Sequence, residues 1–319
     1  MATKAIVPPR LQPGARIALI SPAGPLLERD DRVRGAELCR ALGYEPIVSP
    51  NAGKAYGYLA GTDDERIADL NAALVDPDID AVWCLRGGNG MNRILDRVDF
   101  AGFARNPKAV IGYSDITVLL LGLWKKTGVV TFHGPVARTS MPNFARWHFD
   151  RVLTNVSAPG TLGRIAAEPE VLVPIDDRIT TIVGGTATGP LVGGNLTLVQ
   201  ALVGTPYFPE LRGAILFLED VGEDLWRIDR MLAHLRMSGV LRGLAGVAVG
   251  RFTEMKRSTD DGGLGLDEVL HAYLAPLGIP VAAGFPIGHI PSQWTLPIGV
   301  VAELNATKQE LAIVEAAVR

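Results

Sequence analysis

Cysteine, histidine, net charge and long apolar runs are all scarce in this chain, and each scarcity excludes something. Its 319 residues include two cysteines, Cys39 and Cys84. One falls in a helical pattern and the other in a buried-strand pattern, so both read as reduced core thiols of a cytoplasmic protein, not as a disulfide framework. Five histidines occur. They form no H-E-x-x-H and no clustered spacing with cysteine, and no acidic loop has calcium spacing, so no metal and no other cofactor is expected. A net charge of −3 supplies no basic face for nucleic acid or an anionic membrane. No apolar run approaches the ~18 residues of a membrane span. Residues 1–14 carry few basic residues and no apolar core, so they read as an irregular lead-in and not as a secretory signal.

What is present is a large apolar fraction, 48%, against 20% charged residues. That composition supports a sizeable core and, at this length, about two domains. The first half alternates strand and helix. Arg16-Ile17-Ala18-Leu19-Ile20, Pro46-Ile47-Val48, the run from Ile79 to Leu85, Ala109-Val110-Ile111 and Val129-Val130-Thr131-Phe132 are short apolar strands separated by helical periods. Thr62-Asp63-Asp64-Glu65 is a capping box. Such alternation predicts a parallel sheet covered on both faces, with ligands collecting at the carboxyl ends of its strands. Over residues 141–178 the pattern weakens, with frequent Pro, Asn, Asp and Glu, and a linker is expected. Beyond residue 179 short strands and glycines dominate, with a helix starting near Asp224. The expected architecture is α/β: a Rossmann-like N-terminal domain over residues 1–145, a linker over 146–180, and a β-rich α+β C-terminal domain over 181–319.

Chemistry concentrates at Gly112-Tyr113-Ser114-Asp115-Ile116-Thr117, between an apolar strand and a helix. A serine on such a turn is lifted off the sheet, and the N–H groups of the following helix point at what it attacks. A nucleophilic serine needs a base and a group to orient that base. His234, His271 and His148 lie in helical or weakly patterned stretches and read as packing or surface residues. His133, in Thr131-Phe132-His133-Gly134-Pro135, and His289, in Gly284-Phe285-Pro286-Ile287-Gly288-His289, both lie at strand ends, and spacing leaves the choice between them open. The orienting carboxylate is expected where Leu216-Phe217-Leu218 runs into Glu219-Asp220, because a buried strand cannot hold an unpaired charge cheaply. Glu223 and Asp224 read more simply as acids at a helix start. Arg86-Gly87-Gly88-Asn89-Gly90 can bring backbone N–H groups close to a substrate. It lacks the Lys-Ser/Thr ending of a phosphate loop. Gly193-Gly194-Asn195 reads as a packing turn.

These segments, in this order and spacing, resemble the LD-carboxypeptidase family of serine peptidases, which includes muramoyltetrapeptide carboxypeptidases and the microcin C self-immunity protein. Ile17-Ala18-Leu19-Ile20-Ser21-Pro22-Ala23-Gly24, Arg86-Gly87-Gly88, the Ser114 turn, Phe132-His133-Gly134-Pro135, Leu218-Glu219-Asp220 and Gly288-His289 carry the likeness. The resemblance implies a triad of Ser114 as nucleophile, Glu219 as orienting carboxylate and His289 as base. It also implies an oxyanion hole from the N–H groups of Asp115 and of Gly87 or Gly88. It further implies a homodimer acting on a small peptide, the murein tetrapeptide of peptidoglycan recycling, by releasing its terminal D-alanine. Asn89 stands where the family usually has a tyrosine, which leaves open an immunity-type hydrolase of peptidyl or aminoacyl nucleotides. A non-catalytic binding protein on the same scaffold is the alternative from another class. Arg86 and Asn89 are the expected substrate-binding residues. The charged, glycine-rich stretch over residues 253–265 matches no family pattern.

Overall fold

The computed structural model describes residues 5–138, 140–166, 178–255 and 263–319. The expected stretch over 253–265 and the expected linker therefore lie partly outside the described residues.

The strands that the apolar runs predict supply five strands of a six-stranded sheet. They are β1 (Arg16–Ile20), β2 (Glu45–Val48), β3 (Ala81–Cys84), β4 (Ala109–Gly112) and β5 (Thr131–His133). All five run parallel, in the order β5-β4-β3-β1-β2. β3 and β4 are buried along their whole length, as strands covered on both faces must be. Helices α1 (Asp31–Ala41), α2 (Asp63–Val75), α3 (Phe100–Arg105) and α4 (Thr117–Thr127) connect them. The capping box forms as the sequence predicts, with Thr62 Oγ1 accepting from Glu65 N and Glu65 Oε2 accepting from Thr62 N.

The stretch expected to be a linker contains a regular helix, α5 (Asn143–Leu153). Its buried face is Ala145, His148, Phe149, Val152 and Leu153. A histidine in that face hid the apolar period. Its ring is satisfied locally: Nδ1 donates to Phe144 O (2.8 Å), and Nε2 accepts from Gly163 N (3.1 Å). Phe149 packs on Trp83 of β3, ring centroids 5.0 Å apart.

The second half builds an eight-stranded sheet from β6 (Gly160–Thr161), β7 (Thr180–Val183), β8 (Thr186–Asn195), β9 (Ile215–Val221), β10 (Gly246–Thr253) and β11 (Val281–Ala283), together with the last two strands of the chain. Between these two groups comes β12 (Leu296–Ile298), which leaves the second sheet and adds antiparallel to β5, closing the edge of the first. The chain then returns through β13 (Val301–Asn305) and β14 (Glu310–Ile313), which order the sheet as β6-β14-β13-β8-β9-β10-β11-β7. Its centre, β8-β9-β10-β11, is parallel. Helices α6 (Leu196–Leu202), α7 (Leu225–Met237) and α8 (Leu266–Leu274) accompany it. The strand order is thus a mixed α/β arrangement with a parallel sheet and a second, sheet-rich unit. Among the described residues no helix is long and apolar enough to cross a membrane.

The two sheets meet at carboxyl ends. Asn195, at the end of β8, donates its N–H to Thr117 Oγ1 at the start of α4 (3.1 Å). Its side chain accepts from Leu198 N and so caps α6. The Gly193-Gly194-Asn195 segment is therefore a packing junction, as its sequence suggests.

Candidate active site

β4 ends at Gly112, and Ser114 opens a single helical turn that continues into α4. Ser114 has φ +64, a left-handed conformation that costs a side-chain-bearing residue about 1–2 kcal/mol. Strain of this kind persists only where surrounding structure over-determines it, and it clusters at reactive turns. The surroundings here are two glycine loops. A Cβ on Gly87 would lie 2.7 Å from Ser114 Cβ and 3.0 Å from Ser114 Oγ, so only glycine lets the loop after β3 pass beside the hydroxyl. That loop is tied in place by Gly24 N donating to Gly87 O (2.8 Å).

Two buried charges fasten the same loop from below. Asp115 Oδ2 accepts from Met91 N (2.8 Å). Burial pushes its carboxyl up to about 6, against the opposing pull of Met91 N and of Arg66. The Arg66 guanidinium donates to Pro22 O (2.6 Å), Gly90 O (3.0 Å) and Asp63 Oδ1 (2.6 Å). One arginine thus clamps the loops after β1 and β3 to the start of α2. Neither residue's side-chain role was legible in the sequence. The available signal for Arg66 was its place beside Ile67 on the inward face of a capping-box helix.

From the second sheet, β9 delivers two adjacent acids to opposite faces, as strand alternation requires. Asp220 is consumed by α6: it accepts from Asn195 Nδ2 (2.8 Å), Thr197 N (2.9 Å), Thr197 Oγ1 (2.8 Å) and Val221 N (2.9 Å). Glu219, fully buried, meets His289 from the loop after β11, with Oε2 2.8 Å from Nδ1. Burial raises the Glu219 pKa, while the hydrogen bond and charge of His289 oppose that rise. Gly288 makes the meeting possible. Its φ is +113, and a Cβ there would lie 2.5 Å from Glu219 Oε2.

With Nδ1 engaged by the carboxylate, the free edge of the His289 ring carries Nε2. The ring lies 4.7 Å from that of Tyr113, the residue before Ser114, at an interplanar angle of 60°. Among the described residues, no hydrogen bond joins Ser114 to His289. The structure therefore brings Glu219 and His289 into direct contact and sets Ser114 one residue beyond the ring that packs on His289. The Tyr113 hydroxyl is pushed up to about 12, chiefly by burial and further by the Glu219 charge.

His133 sits at the end of β5 with neither ring nitrogen hydrogen-bonded to a described residue. It packs against Phe217 (5.2 Å) and Tyr113 (6.0 Å). Burial, with the His289 charge adding to it, lowers its pKa to about 3. Among the described residues it meets no carboxylate, unlike His289. Glu223 and Asp224 both face Arg227 (3.6 Å each), and Asp224 is the N-cap residue of α7. Among the other histidines, His234 Nδ1 pairs with Gln200 Nε2 (3.1 Å).

Beside His289 lies a cleft of about 420 Å³ lined by Tyr113, Arg138, Ser140, Val221, Glu254, Ile290, Pro291 and Gln293 as well as His289 itself. Arg86 donates a guanidinium N–H to Pro25 O, and Asn89 is exposed at the tip of its loop. Neither belongs to the lining of this cleft. Among the described residues no group of three or more His, Cys, Asp or Glu side chains is arranged to hold a metal ion.

A polar histidine–glutamate pair beside a strained serine and a glycine loop is a constellation suited to acyl transfer. Comparison with known proteins bears on the same point. Residues 17–134 match the model of the LD-carboxypeptidase N-terminal domain, and residues 188–304 that of the LD-carboxypeptidase C-terminal domain. A carboxypeptidase-named protein of Streptomyces coelicolor is 39% identical over 312 residues, 96% of this chain and 95% of that one. The murein tetrapeptide carboxypeptidase of Pseudomonas aeruginosa is 33% identical over 305 residues, 92% of this chain and 94% of that one. The solved structure of the microcin C7 self-immunity protein with aspartyl sulfamoyl adenosine superposes with a TM-score of 0.88 at 26% identity, covering 98% of this chain and all of that one.

Proposed function

This chain belongs to the LD-carboxypeptidase family and is a serine carboxypeptidase-like hydrolase, and we propose that it removes the terminal D-alanine of murein tetrapeptides with Ser114, Glu219 and His289 as its triad. The observation that carries the reading is the 2.8 Å contact between His289 Nδ1 and buried Glu219 beside a serine held at φ +64.

Glu219 accepts from Nδ1–H, which fixes the imidazole tautomer and leaves Nε2 as the base. His289 takes the Ser114 proton as Oγ attacks the carbonyl on the L-configured side of the scissile amide. The resulting oxyanion is held by backbone N–H groups of Asp115 and of the Gly87–Gly88 turn, each donor contributing about 3 kcal/mol. His289 then returns the proton to the departing D-alanine nitrogen. Water repeats the sequence on the acyl-enzyme, restoring Ser114 and freeing the shortened peptide.

The murein substrate is supported by the 33% identical Pseudomonas aeruginosa relative, a murein tetrapeptide carboxypeptidase. A second reading, hydrolysis of an aminoacyl nucleotide, is favoured by the 0.88 superposition on a protein holding aspartyl sulfamoyl adenosine. Incubation of the pure protein with each substrate separates the two. Release of D-alanine from the tetrapeptide, lost in Ser114→Ala, is the expected result. Turnover of the nucleotide conjugate alone would replace the first reading by the second. Failure of a serine-directed fluorophosphonate probe to label Ser114 in folded protein would sink both and leave a binding protein.

A further inference from the structure

A hydrolase confined to the end of a peptide must recognise the free carboxylate that marks that end. The expected residue, Arg86, already gives a guanidinium N–H to the Pro25 carbonyl. A second arginine, near enough to Arg86 for their charges to oppose each other, shares a cleft with the base. Arg138 follows β5 and lines the same cleft as Tyr113 and His289. Its side chain is 24% exposed, so the guanidinium is half-withdrawn from water yet reachable.

Among the described residues, the charges around Arg138 are Asp31, which attracts it without a hydrogen bond, and Arg86, which repels it. Asp31, 2% exposed, stands 3.8 Å from Arg138 Nη1, beyond hydrogen-bond distance. Asp31 Oδ2 already accepts from Leu27 N (3.0 Å) and Glu28 N (3.2 Å), and Oδ1 faces Arg34 (3.7 Å). Arg138 Nε is buried and has no hydrogen-bond partner among the described residues. A guanidinium carries five donors in a planar fork, and leaving them unmade in a partly desolvated site is costly. A carboxylate is the group whose geometry matches that fork. Glu254, the acidic residue of the lining, opposes a general attraction of anions. A carboxylate held here would be held by directed hydrogen bonds and not by net charge.

We infer that Arg138 is the specificity residue that binds the C-terminal carboxylate of the substrate peptide, and that it, not Arg86, makes this site act on chain ends. The inference rests on the peptidase reading above, and two measurements keep the two separable. In turnover, the wild-type protein is compared on a tetrapeptide ending in free D-alanine and on its C-terminal amide. Arg138→Gln is expected to raise KM for the free acid by about 10- to 100-fold with little change in kcat, the loss of a charge-assisted pair. The preference for acid over amide should collapse with it. Arg138→Lys should restore part of that preference, and Arg86→Gln should leave it intact. A merely structural role for Arg138 would lower activity on acid and amide alike. In binding, calorimetry with Ser114→Ala, alone and combined with Arg138→Gln, reads the same preference without turnover. Acid-selective binding lost on removing Arg138 supports the inference even if the tetrapeptide is not hydrolysed. An acid-to-amide ratio unchanged in Arg138→Gln, or abolished in Arg86→Gln, overturns it whether or not the tetrapeptide is a substrate. Absence of binding by either peptide also overturns it.

Discussion

The turn that carries Ser114 and the contact between Glu219 and His289 are built by opposite means. The serine turn is made of neighbours in one parallel sheet: the loops after β1, β3 and β4, joined by backbone hydrogen bonds and by Arg66 and Asp115. It stores backbone strain at φ +64. The Glu219–His289 pair joins residues 70 apart in the chain, stores no strain at either residue, and instead buries a carboxylate. The first half is costly in conformation and the second in desolvation. Substitutions should therefore separate them, because removing strain stabilises while disturbing a buried pair does not.

The largest effect tests whether both halves serve one reaction. Ser114→Ala should lower kcat on the tetrapeptide by about 10⁵-fold with melting temperature preserved, and Glu219→Gln by about 10³- to 10⁴-fold, as when a triad loses the group that orients its histidine. A double variant no slower than Ser114→Ala alone would show that the two act as a unit. Next come the two glycines of close approach. In Gly288→Ala a Cβ meets Glu219 Oε2 at a positive φ, so chemical denaturation should show a loss of about 2–3 kcal/mol along with activity. Gly87→Ala meets Ser114 instead. It should cost about 100-fold in kcat and less stability, since its φ lies outside the left-handed set. Equal destabilisation by both would erase the difference between the two halves.

His133 spans the seam, ending β5 while its ring touches Phe217 of β9. Its pKa is lowered to about 3 in the fold, from about 6.5 in an unfolded chain. The unfolded state therefore binds more protons between those values, and the folded state loses stability as pH falls below about 6.5. Asp115, raised to about 6, acts with the opposite sign: its folded form keeps a proton that the unfolded chain has released, so its contribution declines as pH rises from about 4 to 6. Replacing His133 by Leu should shrink the drop in unfolding free energy between pH 7.5 and pH 5 by about 2 kcal/mol. Asp115→Asn should enlarge that drop. The smallest effect concerns the strain itself. Ser114→Gly should be about 1 kcal/mol more stable than Ser114→Ala, both inactive, because glycine accepts φ +64 without a Cβ penalty.

Local pattern was enough for most of the first sheet. β-branched runs and the capping box at Thr62 follow from interactions within a few residues, and the structure repeats them. Helix α5 escaped because His148, inward-facing with both ring nitrogens satisfied by backbone groups, broke an apolar period. β12 escaped for a different reason. Three buried residues, Leu296, Pro297 and Ile298, announce a strand but not which sheet will take it, and they cross to pair with β5. Arg138 carried no signal beyond its type and Arg66 only its place on a capping-box helix, since what each touches is set by elements far away in the chain.

By itself, the sequence determined that a serine would stand at a strand-to-helix turn, that glycines would crowd it, and that Glu219 and Asp220 would end a buried strand. Periodicity, capping and turn chemistry act over a few residues, so they can be read in one dimension. The tertiary structure alone decided which acid faces His289, which histidine acquires a carboxylate, and which arginine opens into the cleft. Those outcomes depend on the alternation of β9, on a Cβ-free approach at Gly288 and on the meeting of two sheets at their carboxyl ends, where partners are chosen by packing and desolvation rather than by distance along the chain.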